Sequence, residues 1–238
     1  MISRSGGLVT VRKQCSRPAA ADDNSGVRAA LDAIAMLAVD TIDRADHAGV
    51  TLVEGRGIKC LAATDVHPLM INNLQRRSRR GPCFDLATER RPILVDDLAA
   101  ESRWPDFSAA AAATTPVRAL LAQTVFHTGD AYAVFTLYAN RRGAFDARTA
   151  VDSSTFVSQM ARILSAARRG EQASRSASTN EGAALLMQRF GIDAQQAIGM
   201  LEKMATERGE TIEAVAAEVV TGVEETGDEH VGRHERRD

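Results

Sequence analysis

Two pairs of β-prone runs, each closed by a tight turn, constrain this chain most. Gly49-Val50-Thr51-Leu52-Val53-Glu54 and Ile58-Lys59-Cys60-Leu61-Ala62-Ala63 flank Gly55-Arg56-Gly57. Val117 to Phe126 and Ala131 to Tyr138 flank Gly129-Asp130. Strands joined this closely can pair only antiparallel. In the last run Tyr132, Val134, Thr136 and Tyr138 oppose Ala133, Phe135, Leu137 and Ala139. Both faces can be packed, as in a central strand. Pro92-Ile93-Leu94-Val95 adds a short strand with its proline at the first position.

The remaining pattern is helical. From Gly26 to Ala45, Val27, Leu31, Ile34, Ala38 and Ile42 recur at three and four, the spacing of an amphipathic helix. Pro68 to Gln75 holds one or two turns, Trp104-Pro105-Asp106-Phe107 opens a helix through the alanine run 109–113, and Phe145 to Arg169 reads as helix again. The order is helix, two strands, helix, strand, helix, two strands, helix. The class is α+β, an antiparallel sheet flanked by helices.

Residues 170–179, GEQASRSAST, read as a polar linker or as a helix continuing from the domain before it. Three short amphipathic helices follow. The first stacks Ala183, Leu186, Met187 and Phe190 on one face and stops at Gly191. The second has Asp193 as N-cap with Gln196 three on, a capping-box pattern, and Ala197, Leu201, Met204 and Ala205 as its apolar face. The third starts at Thr211, shows Ile212, Val215, Ala216 and Val219, and ends at Gly222. The chain therefore divides into a flexible arm (1–24), an α+β domain (25–168), a linker or connecting helix (169–179), a small all-α three-helix domain (180–222) and a disordered charged tail (223–238). A three-helix unit of about 40 residues is marginal alone and is expected to lean on a preceding helix or a second chain.

Composition removes several function classes. No apolar run approaches the ~20 residues of a membrane-spanning helix. Met1 to Ala21 lacks the apolar middle of a secretory signal, so a cytoplasmic protein without membrane attachment is expected. Cys15, Cys60 and Cys83 are odd in number and widely spaced, against a disulfide framework or a tetrahedral zinc site. His230 and His234 are four apart but separated by Gly232, and His47, His67 and His127 are isolated in sequence, so no metal site is expected. No HExxH, GxSxG or Walker sequence occurs, and neither a catalytic residue nor a cofactor is expected.

Residues 26–168 resemble a GAF domain. The resemblance rests on Ala48-Gly49-Val50-Thr51-Leu52, Leu74-Gln75, Gly81-Pro82-Cys83, Arg103-Trp104-Pro105, the strand Tyr132 to Tyr138, and Ala144-Phe145-Asp146, in that order. Ser78-Arg79-Arg80 departs from the Gly-Glu usual before Gly81. Residues 175–220 resemble an ANTAR domain through Leu186-Met187, Arg189-Phe190-Gly191, Ala194 to Ala197, Leu201, Ala205 and Val215-Ala216. A GAF domain followed by an ANTAR domain is a layout common in actinobacterial regulators. The resemblance implies a dimeric, sensor-controlled module that binds structured RNA. By holding a two-hairpin structure in the nascent transcript, such a module precludes a terminator hairpin. Where the ANTAR family carries Ala-Lys-Gly, this chain has Gly182, Ala183 and Ala184, and Glu202 stands where arginine is common.

Residues 180–222 hold three basic residues, Arg189, Lys203 and Arg208, against seven acidic ones. RNA affinity requires phosphate neutralisation. On exposed helix faces such basic residues are mostly solubilising; the resemblance makes Arg189, Lys203 and Arg208 the candidate RNA contacts, with Arg175 supplying charge from the preceding segment. Cys83, Phe84 and Trp104 are candidate lining for a sensor pocket holding a small molecule of unknown identity. Two of them have a plainer reading: Cys83 as a small buried hydrophobe beside a turn, Trp104 as a pin for a loop. Arg76, Arg77, Arg79 and Arg80 have no interleaved aromatic and read as a solvated loop. The sequence thus predicts a transcription antitermination regulator and homodimer. The alternative is an interaction or dimerisation protein whose ANTAR-like module has lost RNA binding.

Overall fold

The computed structural model describes residues 23–228 apart from Arg90 and Asp130, with side chains between residues 25 and 221. Residues 1–22 of the expected arm and most of the expected tail, with His230 and His234, lie outside the described residues, while Asp23 and Asn24, expected in the arm, already belong to a helix. The chain divides into two compact units, residues 1–165 and 166–238.

The first unit is built on a five-stranded sheet. Its strands are β1 (His47–Glu54), β2 (Gly57–Ala63), β3 (Ile93–Val95), β4 (Ala119–Thr128) and β5 (Ala131–Ala139). The order is β2-β1-β5-β4-β3, with every neighbouring pair antiparallel. Both expected hairpins form. Glu54 pairs with Gly57 across a turn in which Gly55 has φ 55°, and Thr128 pairs with Ala131 beyond Gly129 at φ 53°. These positive values suit glycine, which has no Cβ to clash.

β5 is central, and its two faces feed two cores. Ala133, Phe135, Leu137 and Ala139 face one core, where Leu31, Ala35, Ala38 and Ile42 of α1 (Asp23–Thr41) meet Phe156, Met160 and Leu164. Tyr132, Val134 and Tyr138 face the other. That core is closed by α2 (Val66–Ser78), α3 (Pro82–Glu89) and α4 (Pro105–Thr114), through Ile71, Cys83, Leu86, Trp104 and Phe107. The α+β class with an antiparallel sheet is as expected.

The helix α3 is the element that the sequence pattern misses. Gly81-Pro82-Cys83 reads as a turn, but Pro82 opens a helix. Proline is preorganised for the first helical position, where its missing N–H is not needed, and Asp85 in the first turn complements the helix dipole. Gly81 before it has φ 135°, and a Cβ there would lie 2.6 Å from Gln75 Oε1.

The short helix α5 (Ala147–Asp152) is capped by Asp146 and Thr149, and α6 then runs from Ser154 to Phe190 as one 37-residue helix. Of the two readings of 169–179, the connecting helix is the one formed. GEQASRSAST contains no proline, and its single glycine, Gly170, costs only about 1 kcal/mol in a helix interior. The first of the three expected short helices is thus the end of α6. It is followed by α7 (Ala194–Arg208) and α8 (Ile212–Asp228), which continues past Gly222.

Phe135 is fully buried in mid-sheet. Phe135→Ala is expected to lower unfolding free energy by about 3–5 kcal/mol, read by chemical denaturation. A loss below about 1 kcal/mol would contradict its place in the core.

Candidate functional site

The second unit has its own small core. Ala183 and Leu186 of α6, Ala197, Leu201 and Ala205 of α7, and Val215 and Ala216 of α8 are buried together. Local chemistry sets its corners. Gly191, at φ 63°, ends α6, with its N–H donating to Met187 O at 2.9 Å. Asp193 and Gln196 form the expected capping box of α7, and Gly209 at φ 67° closes that helix. Gly182 lets α6 and α8 approach, since a Cβ on it would lie 2.8 Å from Ala216 Cβ. Ala183, at the position where the ANTAR family carries lysine, is buried in this core.

Two side chains sit differently from expectation. Met187 and Phe190 were expected on the buried face with Ala183 and Leu186, but Met187 is 36% and Phe190 56% exposed. The capping turn at Gly191 ends α6 before α7 can cover its last residues. An exposed aromatic beside the exposed Arg189 results. No sequence pattern separates this phenylalanine from a core one.

The candidate cations are all exposed and do not share one environment. Arg175 Nη2 lies 3.8 Å from Glu171, Lys203 Nζ 3.9 Å from Glu207, and Arg208 Nη1 2.5 Å from Glu218. Among the described residues Arg189 has no acidic partner within ion-pair distance. Arg175 also lines an open polar cleft of about 440 Å³, with Gln172, Ser176, Thr179 and Asn180 of α6 and Glu213 of α8.

In the first unit, Cys83 is fully buried and Trp104 2% exposed, and Phe84 packs half-buried against the same core. Trp104 Nε1 donates to Asp85 Oδ2 at 2.8 Å, and the Arg103 guanidinium lies 4.6 Å from the indole centroid. Gln75 holds the Gly81–Cys83 corner: Cys83 N–H donates to its Oε1 at 2.9 Å, and its Nε2 donates to Cys83 Sγ at 3.3 Å. Burial pushes the Cys83 thiol up to about 12, against the opposing effect of the Gln75 hydrogen bond. Tyr132 Oη donates to Cys83 O at 2.8 Å, and burial, with Cys83 and Asp85 nearby, pushes this phenol up to about 12 as well. A polar group that sequence reasoning missed lies in the same unit. Asn72 is a buried residue of α2; its Nδ2 donates to Thr51 Oγ1 at 2.8 Å, while its Oδ1 has no partner among the described residues. The arginines at 76–80 sit at the C-terminal end of α2, where positive charge suits the helix dipole.

The sequence profile of the GAF domain matches residues 24–165, more than half of the chain. The chain belongs to the GAF domain family. The profile of the ANTAR domain matches residues 179–220, so a GAF domain is followed by an ANTAR domain. Solved structures similar to the chain include a GAF domain/HD domain protein from Geobacter sulfurreducens, 13% identical at a TM-score of 0.48, covering 62% of this chain and 99% of that one. The type II free methionine-R-sulfoxide reductase from Thermoplasma acidophilum is 12% identical at a TM-score of 0.46, covering 60% and 94%. The GAF domain of a phosphoenolpyruvate-protein phosphotransferase from Coxiella burnetii is 11% identical at 0.46, covering 61% and 86%. No curated protein matches. GAF and ANTAR are regulatory domains, and together they make a signal-transduction and transcription regulator with an RNA-binding output module. No helix among the described residues is long and apolar enough to cross a membrane.

Two outcomes test these placements. Thiol reagents at mildly alkaline pH are expected to leave Cys83 unmodified in the native GAF domain. Cys83→Ser should then leave native labelling unchanged and remove one equivalent in denaturant; a lost equivalent under native conditions would show a reactive thiol. Gly182→Ala is expected to destabilise the ANTAR unit by about 1–3 kcal/mol through overpacking. Helix propensity alone would stabilise it by about 1 kcal/mol. Faster amide exchange along α8 is the readout, and slower exchange would deny the close approach.

Proposed function

We propose that this chain is a cytoplasmic, homodimeric transcription antitermination regulator. In this reading a small molecule bound by the GAF domain controls dimerisation. Pairing two ANTAR modules on one transcript raises their effective concentration there and stabilises an antiterminator hairpin structure. The observation that carries the reading is the exposed Arg189–Phe190 pair at the end of α6, within the ANTAR match. Sequence-specific RNA recognition targets unstacked loop bases, which stack on aromatic rings while cations hold the flanking phosphates. Lys203, Arg208 and Arg175 are the further candidate cations. Met36 and Leu37, 59% and 52% exposed on α1, support a homodimer contact. Buried Asn72 Oδ1 supports a polar small-molecule ligand of the GAF domain, for which Cys83, Phe84 and Trp104 are the candidate lining.

One observation favours a second reading, in which the ANTAR unit is a protein-interaction or dimerisation element. Residues 180–222 carry seven acidic side chains against three basic ones, and Lys203 and Arg208 are already paired with glutamates.

Binding of the full chain to a two-hairpin RNA and to a scrambled control, at two salt concentrations, separates the readings. Tight binding to the first RNA alone, weakening steeply with salt, is expected. Arg189→Glu is expected to abolish it with helicity intact. Phe190→Ala should weaken it by roughly 5- to 150-fold, the worth of about 1–3 kcal/mol for one stacked base. A folded dimer that binds neither RNA, with or without candidate ligands, would establish the interaction reading instead.

A further inference from the structure

We propose that the GAF domain of this chain carries a site for one divalent transition-metal ion, formed by His47, Asp65 and His67. In sequence the two histidines are twenty residues apart and look isolated. The fold brings them together: their ring centroids are 4.5 Å apart, and a ligand atom from each of the three residues lies within 4.8 Å of the others.

The placement follows from the elements. His47 begins β1, Asp65 caps the start of α2, and His67 lies in the first turn of that helix. Asp65 Oδ1 accepts from His67 N–H at 2.7 Å and faces His67 Nδ1 at 3.0 Å. Asp65 Oδ2 faces His47 Nδ1. Both imidazoles thus aim Nδ1 at one carboxylate.

The far side of His47 sets which ring nitrogen is available to a ligand. His47 Nε2 lies 3.1 Å from Asn140 Oδ1, an acceptor, so Nε2 carries the hydrogen. In the neutral ring Nδ1 then presents a lone pair to a carboxylate oxygen, which also presents one. Either a proton on Nδ1, which makes the ring an imidazolium donating to Asp65, or a metal cation between the two atoms resolves that opposition, and metal uptake distinguishes the two. An imidazole whose other N–H is held by a side-chain oxygen is the arrangement seen around ligating histidines, where the outer partner fixes tautomer and orientation. Asp46, whose Oδ2 accepts from Asn140 N–H at 2.7 Å, adds negative charge beside the ring. With Asp65, it offsets the positive end of the α2 dipole, which alone would repel a cation.

Two imidazole nitrogens and one carboxylate suit zinc and its first-row neighbours rather than calcium or magnesium, which take oxygen donors. Tetrahedral ligands at ~2.0–2.1 Å from zinc stand about 3.3 Å apart, so uptake requires the Asp65 carboxylate to turn away from His47 Nδ1, with a smaller rotation of the half-buried His67 ring. The His47 side chain is 9% exposed, Asp65 36% and His67 27%, so the site is walled on one side and open to solvent for entry and a fourth ligand.

The test is zinc uptake by the full chain after dialysis, measured by elemental analysis and repeated with Co(II) to read the visible ligand-field bands. Wild type is expected to retain one equivalent, with a Co(II) spectrum lacking thiolate charge transfer. Asp65→Asn keeps a good helix N-cap and removes the carboxylate. It and His67→Gln should each lose that equivalent with helicity unchanged. Asn140→Ala should weaken retention roughly 10- to 100-fold. A double variant, His230→Gln with His234→Gln, should retain it. Wild type holding no zinc, or uptake unaltered by Asp65→Asn and His67→Gln, overturns the proposal.

Discussion

Everything in the GAF domain hangs on β5 being buried on both faces. Its alternate side chains enter two separate cores, so its pairing with β1 and β4 cannot slip by one residue without exchanging Phe135 and Leu137 for Tyr132 and Tyr138. That register fixes more than the core. It sets His47 opposite Tyr138 at one end of the sheet, so Asn140, two residues on, stands beside the imidazole. It also brings the Tyr132 hydroxyl under the Cys83 carbonyl, tying α3 to the sheet. The histidine–aspartate cluster and the buried thiol are both consequences of one strand register.

The ANTAR unit depends instead on local stops and small residues. Gly191, Asp193 and Gly209 set where its helices end, and Gly182 against Ala216 sets how closely two of them approach. A core this small leaves side chains uncovered, which puts Phe190 in solvent beside Arg189. The acidic balance works against an RNA partner, but the ion pairs that occupy Lys203 and Arg208 are weak competitors. Both are exposed, and exposed pairs are worth only ~0–1 kcal/mol. A phosphate can displace a glutamate at little cost, and Arg189 has no acidic partner to give up among the described residues.

The fold class was legible because it rests on signals between neighbours in sequence. Glycines in the tight turns announced antiparallel hairpins, alternation announced a two-faced strand, and Asp193 with Gln196 announced the start of α7. The helix α3 was hidden because eight residues hold barely two turns, too few for a period to show, and its proline reads equally as turn or first helical position. The candidate site was less legible. Lys203, Arg208 and Arg175 are readable as cations, and Glu207 and Glu171 stand four positions from Lys203 and Arg175 on the same helices, but Glu218, ten positions from Arg208, reaches it only through packing. Phe190 has the spacing of a core residue, and only the absence of a neighbour over it makes it a surface group.

By itself the sequence determined the two hairpin pairings, the helix boundary around Gly191 and Asp193, and the order of a sheet domain followed by small helices. Turn chemistry, capping and periodicity act over a few residues and need no distant partner. Tertiary structure alone decided which helix residues stay exposed, and that His47, Asp65, His67 and Asn140 meet. The reason is the same in each case: burial and convergence depend on what packs from elsewhere in the chain. Asn140 reaches His47 across 93 positions only because β1 and β5 lie side by side.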